Sequence, residues 1–242
     1  MDFKLEVPTA LEYFASLVQS DEHFPLLEAA ASLAQDEYPE LDIQQVLDQV
    51  DQLGSRLKQR LPADAGAMQK LRLLNKFFFE EQGFSGNLNN YYDPDNSYLH
   101  VMLRTRRGIP ISLAVLWLEL ALGLGLNAQG VGFPGHFLVK VRLPYPNEGQ
   151  VVIDPFTGES LSKEELSERL VPLHAESGLL RDGHVSDELL KHYLRAATPR
   201  EIVARMLRNL EEVYTSHQDP ERLMLVKQRL MVLLPQVDDE QE

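Results

Sequence analysis

The chain contains no cysteine among its 242 residues, which removes disulfides, zinc–thiolate sites and cysteine nucleophiles together. Basic residues are scarce: 23 Lys and Arg against 37 Asp and Glu leave a formal charge of −14. That balance disfavours non-specific contact with nucleic acid or anionic lipid, and neither is expected as a partner. The seven histidines show no HExxH spacing, and "DPDNS" (93–97) lacks the glycine and distal glutamate of a calcium loop, so no metal is expected. Gly123 and Gly125 fall where a helix should end and form no nucleotide fingerprint; no cofactor is expected. The opening "MDFKLEVPTALEYF" is charged at positions 2, 4 and 6 and lacks the apolar core of a secretory signal, so a cytoplasmic location is the expectation.

Long apolar runs are also rare. One stands out, "RRGIPISLAVLWLELALGLGL" (106–126), interrupted only by Ser112 and Glu119. Its apolar part, residues 109–126, sits at the lower limit for crossing a bilayer. Glu119 in mid-run, Pro110 in the first turn and glycines near the far end argue instead for a central core helix from about Pro110 to Leu124, apolar on all sides because it is covered on all sides.

Around it the hydrophobic period changes. Thr9 with Glu12 makes a capping box before Leu11, Phe14, Ala15 and Val18. Pro25 opens a second helix ending near Tyr38, and Asp42 caps a third whose stripe includes Ile43, Val46, Val50 and Leu53, with Gly54 near its end. Residues 61–66 (LPADAG) read as a linker, and a fourth helix is expected over 68–82. "GFSGNLNNYYDPDNSYL" follows, a turn-rich stretch read as an ordered functional loop because its three tyrosines need burial. "NAQGVGF", "HFLVKVRL" and "GQVVIDPF" read as strands, the last two joined by a hairpin-like PYPNEG loop. Beyond Ser186 the chain is helical again: Thr198-Pro199 and Asp219-Pro220 start two antiparallel helices, a tetratricopeptide-like hairpin that must dock on the rest of the chain. The tail DDEQE reads as solvated. The fold class is α+β, with a helical region over 1–65, a core over 66–178 and the C-terminal helices over 179–242.

Within this layout Pro110 fits the first helical position and puts Ser112 in the first turn, where free N–H groups and the helix dipole favour negative charge. His136 begins one strand after Phe133-Pro134-Gly135, and Asp154 ends the next. A hydroxyl at a helix start, an imidazole and a carboxylate on paired strands form an acyl-transfer arrangement. Each residue also has a plainer reading: a local hydrogen-bonding Ser, a partly buried His, a turn-forming Asp. Arg104, Arg106 and Arg107 form a small basic group that either stays solvated or steers a carboxylate toward the neighbouring pocket.

The stretch from "SGNLNNYYDPDNSYLH" through "RTRRGIPISLAVLWLELALGLGL" and "GVGFPGHFLVKV" to "VVIDPFTGE" resembles the bacterial SirB-one family, a transglutaminase-like domain followed by tetratricopeptide-like helices. The resemblance implies a papain- or transglutaminase-like core in which Ser112 stands where the superfamily has its catalytic Cys, His136 on the His and Asp154 on the Asp. A serine there needs a base and an oxyanion site suited to its shorter reach. The expected function is therefore an enzymatically silent protein, with a regulatory role, that binds a protein or peptide partner. Recognition would lie at Ser112, His136 and Asp154 under the 87–98 loop, with Asn87, Asn89, Tyr91, Tyr92 and Arg107 as binding residues. The rival readings are a serine-type amide or ester hydrolase or acyltransferase on the same triad, and a structural adaptor working through the C-terminal helices. Oligomeric state is not legible.

Overall fold

The computed structural model describes residues 8–145, 148–175, 180–181 and 184–235; Pro146 and Asn147 of the expected hairpin loop, the 178/179 boundary and the DDEQE tail lie outside them. The expected N-terminal helices are present. α1 (Ala10–Leu17) begins at the Thr9–Glu12 capping box, α2 (Leu26–Ser32) runs into a 3-10 turn ending at Asp36, and α3 (Ile43–Lys58) is capped by the Asp42 carboxylate. Gly54 does not end α3. A Cβ there would lie 3.8 Å from the Leu120 side chain, so the position faces the core, and the buried stripe continues to Leu57.

α4 (Ala67–Asn75) continues as a π-helical turn, Lys76–Glu81, in which the Gln82 amide donates to the Phe77 carbonyl. The wider turn lets adjacent Phe77 and Phe78 both reach the interior. α5 (Leu99–Thr105), unexpected, buries Leu99, Val101, Met102 and Leu103; seven residues are too few to display a helical period. It ends at Arg106 in the left-handed region, φ 61°, whose guanidinium lies 4.6 Å from the Phe84 ring centroid.

α6 (Pro110–Gly123) is the expected central helix. Pro110 through Leu118, Leu120 and Ala121 are buried among the surrounding helices and strands. At fourteen residues it spans roughly 21 Å, well short of a bilayer core. No helix among the described residues is long and apolar enough to cross a membrane.

The sheet has the order β3–β4–β5–β6, all antiparallel: β3 (Asn127–Val131), β4 (Leu138–Leu143), β5 (Gly149–Ile153) and β6 (Ser160–Leu161). Alternation along β4 divides two cores. Val139 and Val141 join the cluster around α6, whereas Leu138 joins a second cluster with Leu166 and Leu170 of α7 (Lys163–His174) and Leu190 of α8 (Asp187–Tyr193). Lys140 is buried on the α8 side, its ammonium 2.5 Å from the Leu194 carbonyl. α7 is not expected from the sequence, where Pro172 and a narrow apolar stripe mask its period, although the Ser162–Glu165 capping box marks its start. Two two-residue pairs complete the strands: β1 (Ser85–Gly86) lies parallel to β2 (Arg107–Gly108), and β7 (Leu180–Arg181) antiparallel to β8 (His184–Val185).

The C-terminal hairpin, α9 (Pro199–Ser216) and α10 (Pro220–Leu233), is docked, α9 against α2 and α6 and α10 against α1. Arg229 on α10 is fully buried and makes a bidentate pair with Asp36, at 2.6 and 2.9 Å. One apolar cluster takes side chains from Phe14 to Leu233.

Glu119 is the one charge in the middle of α6. Burial first, then the neighbouring Asp51, raises its pKa above the ordinary 4.5. A carboxyl with a raised folded pKa binds its proton more tightly folded than unfolded, so ionisation at neutral pH destabilises the fold, and that penalty disappears as pH falls below the unfolded value. Glu119→Gln should therefore raise the melting temperature at pH 7, with the gain vanishing near pH 4. An equal shift at both pH values would contradict this.

Candidate functional site

The register places Val139 opposite Ile153, which brings the entry to β4 beside the exit from β5. His136 does not begin the strand: it lies in the turn before β4, its amide bonded to the Phe133 carbonyl. Asp154 directly follows β5 and is buried. Their side chains meet, His136 Nε2 to Asp154 Oδ1 at 2.7 Å. The same oxygen accepts the Phe156 amide at 2.9 Å, and Arg169 approaches the other at 3.7 Å. Burial pushes the Asp154 pKa up, but the His136 hydrogen bond and charge, the Phe156 amide and Arg169 together bring it below the ordinary carboxylate value. An ionised carboxylate can only accept, so Nε2 donates and Nδ1 is the nitrogen left for a ligand.

Ser112 is placed differently from the expectation. It is fully buried at the third helical position of α6. Its hydroxyl accepts the Ile109 amide at 3.2 Å and donates to the Asn96 carbonyl at 2.7 Å, with the Ile109 carbonyl at 3.0 Å. This is the back half of a capping box, tying the helix start to the preceding loop. Gly108 is required beside it, since a Cβ there would sit 2.7 Å from Ser112 Oγ and 3.0 Å from Met102 Sδ. No hydrogen bond joins Ser112 to His136 among the described residues.

The space that His136 faces is a cavity of about 390 Å³. Its walls include Ile109, Pro110 and Ile111 from the start of α6, Tyr91, Tyr92 and Asp93 from the loop, and Arg205, Asn209 and Glu212 from α9. Ser112 is not among them. The loop is ordered from within by buried Asn96, whose amide nitrogen donates to the carbonyls of Asn90 and Tyr91 and whose side-chain oxygen accepts from Asn87. Tyr98 is buried and shares a 2.6 Å hydrogen bond with Tyr214 of α9, which ties the loop to the C-terminal hairpin.

The expected binding residues separate accordingly. Tyr91 and Tyr92 remain partly exposed at the cavity, contrary to the expectation that all three loop tyrosines are buried. Asn87 serves the loop's internal network, and Asn89 is exposed outside the cavity wall. Arg107 donates to the Gly83 carbonyl at 2.8 Å and does not line the cavity. Arg205, Asn209 and Glu212 were missed. Their i, i+4, i+7 spacing was available in the sequence, but it runs beside the apolar stripe of α9 and reads there as a solvated face. The described residues hold no group of three or more His, Asp or Glu placed to bind a metal ion.

Residues 44–208 match the transglutaminase-like superfamily. The chain is 40% identical over 217 residues to a UPF0162 protein of Xylella fastidiosa, covering 89% of this chain and 74% of that protein. A UPF0162 protein of Pseudomonas aeruginosa is 31% identical over 235 residues, 97% of this chain and 76% of its own length. A shorter likeness, 40% identity over 72 residues, links 30% of the chain to 12% of mouse F-box only protein 21. No solved structure matches significantly.

Proposed function

We propose, from the premise that the chain belongs to the transglutaminase-like superfamily and to the UPF0162 proteins, that it is a non-catalytic recognition protein whose cavity beside His136 and Asp154 binds a peptide segment of a protein partner. The observation that carries this reading is the position of Ser112. Its hydroxyl is buried in helix capping, while the wall at the start of α6 offers Ile109, Pro110 and Ile111 to the cavity. A His–Asp pair beside a Ser112 hydroxyl held by its backbone partners is suited to orienting a ligand at Nδ1 rather than to beginning acyl transfer. Half-exposed tyrosines beside the cavity suit peptide binding, since aromatic side chains combine large contact area with a polar tip. Likeness to the SirB-one proteins and a regulatory role belong to the same reading.

The intact His136–Asp154 contact keeps a serine hydrolase as the second reading, which requires the Ser112 hydroxyl to leave its backbone partners. Met224 and Met231, 55% and 68% exposed on α10, favour the adaptor as a third.

Peptides selected from a random displayed library on the wild-type protein provide the test. Their affinity should fall about tenfold with Tyr91→Ala or His136→Ala, and the protein should remain unlabelled by fluorophosphonates. Labelling at Ser112 would establish the hydrolase instead, and selected peptides indifferent to both substitutions would remove the cavity from the recognition role.

A further inference from the structure

The cavity beside His136 shares Arg205 and Phe137 with a second one of about 550 Å³ beside the first turns of α9. The charge of the second is opposite to that of the molecule, whereas the first sets Asp93 and Glu212 against Arg205. Arg195, Arg200, Arg205 and Arg208 line the second cavity against only Asp21 and Glu201, in a chain of net charge −14. Both acids are engaged: Glu201 holds Arg195 and Asp21 holds Arg200, each at 2.7 Å. The remaining two arginines have no carboxylate partner among the described residues.

Arg205 is the more informative of the two. It is partly buried, lies 5.8 Å from the Phe137 ring centroid, and makes one hydrogen bond, from Nη1 to the Phe133 carbonyl at 3.1 Å. A guanidinium removed from water without a carboxylate carries an uncompensated desolvation cost and leaves a planar set of donors unused. Those donors are shaped for a bidentate oxyanion. Arg208, one turn further along the helix, is exposed. The expected basic group at Arg104, Arg106 and Arg107 does not supply this, because Arg106 stacks on Phe84 and Arg107 holds the Gly83 carbonyl.

We propose that the two cavities form one groove for an acidic peptide, with a side-chain or terminal carboxylate seated on Arg205 and Arg208 and the adjoining residue over His136 and Asp154. This rests on the peptide-recognition reading above and adds the chemistry of the ligand. The net negative charge of the protein gives it force: an anionic ligand is repelled by most of the surface and gains only where the local field is reversed.

Fluorescence anisotropy with labelled hexaglutamate, hexaserine and hexalysine tests this on the whole chain, with inorganic phosphate as competitor. Hexaglutamate should bind and hexaserine should not, and the affinity should weaken as salt rises. Arg205→Met and Arg208→Ala should each weaken binding about tenfold, whereas Lys227→Ala on α10 should not. Arg208 is exposed, so its substitution keeps the result interpretable should Arg205→Met disturb packing on Phe137. Hexaglutamate binding unchanged in the Arg208→Ala protein would overturn the proposal, as would phosphate binding without peptide binding. Library-selected peptides that bind the Tyr91 cavity but ignore both arginines would also overturn it, while leaving peptide recognition itself standing.

Discussion

The thiol introduced by Ser112→Cys should resist alkylation at neutral pH, reacting on the order of a hundredfold more slowly than a free thiol, although it would be the only cysteine in the chain. From sequence, the opposite is expected: a thiol in the first turn of a helix beside His136 should be depressed in pKa and quick to react. Burial reverses this. Position 112 is closed to solvent and surrounded by the Ile109 and Asn96 backbone and the Met102–Gly108 contact, so the neutral thiol is favoured and the reagent cannot enter. Pro110→Cys is the informative comparison. Position 110 is the first residue of α6 and lines the cavity that His136 also lines. A thiol there gains from the helix N-terminus and the imidazole and should alkylate rapidly below pH 8, with the enhancement lost in Pro110→Cys/His136→Ala. Rapid, His136-dependent alkylation of the Ser112→Cys protein would show that the hydroxyl site opens toward the imidazole, and would revive the triad.

A second large effect is expected where the C-terminal hairpin docks. Asp36→Ala should destabilise the protein by about 3–5 kcal/mol, a fall in melting temperature of roughly 10 °C for a chain of this size. Arg229 would be left charged and buried with the Asp36 carboxylate gone; among the described residues Nη1 already lacks a partner, and the guanidinium lies 5.0 Å from the Phe14 ring centroid. Arg229→Met should be much milder, because a flexible apolar chain of similar length fills the same space without a charge. The double substitution should recover most of the loss caused by Asp36→Ala. Thermal melts of the three variants decide it: an Asp36→Ala protein that melts with wild type would mean that the pair does not hold α10 against the N-terminal helices.

What the sequence determined by itself was local and periodic. The Thr9–Glu12 box, the Asp42 cap, the all-apolar run of α6 and the alternation through β4 are each written within a dozen residues, because capping and amphipathicity need only near neighbours. The order of helix, strand and strand likewise brought His136 and Asp154 within reach of one another. Tertiary structure decided the rest. Whether Ser112 faces a cavity or a carbonyl depends on Asn96, sixteen residues away, and on the absence of a side chain at Gly108. The polar stripe of α9 reads as solvated until docking places Arg205 against Phe137 and Phe133; its lack of a carboxylate then becomes a feature of a groove. No local pattern records such contacts, since they join residues distant in sequence whose meeting is set by how the whole core closes.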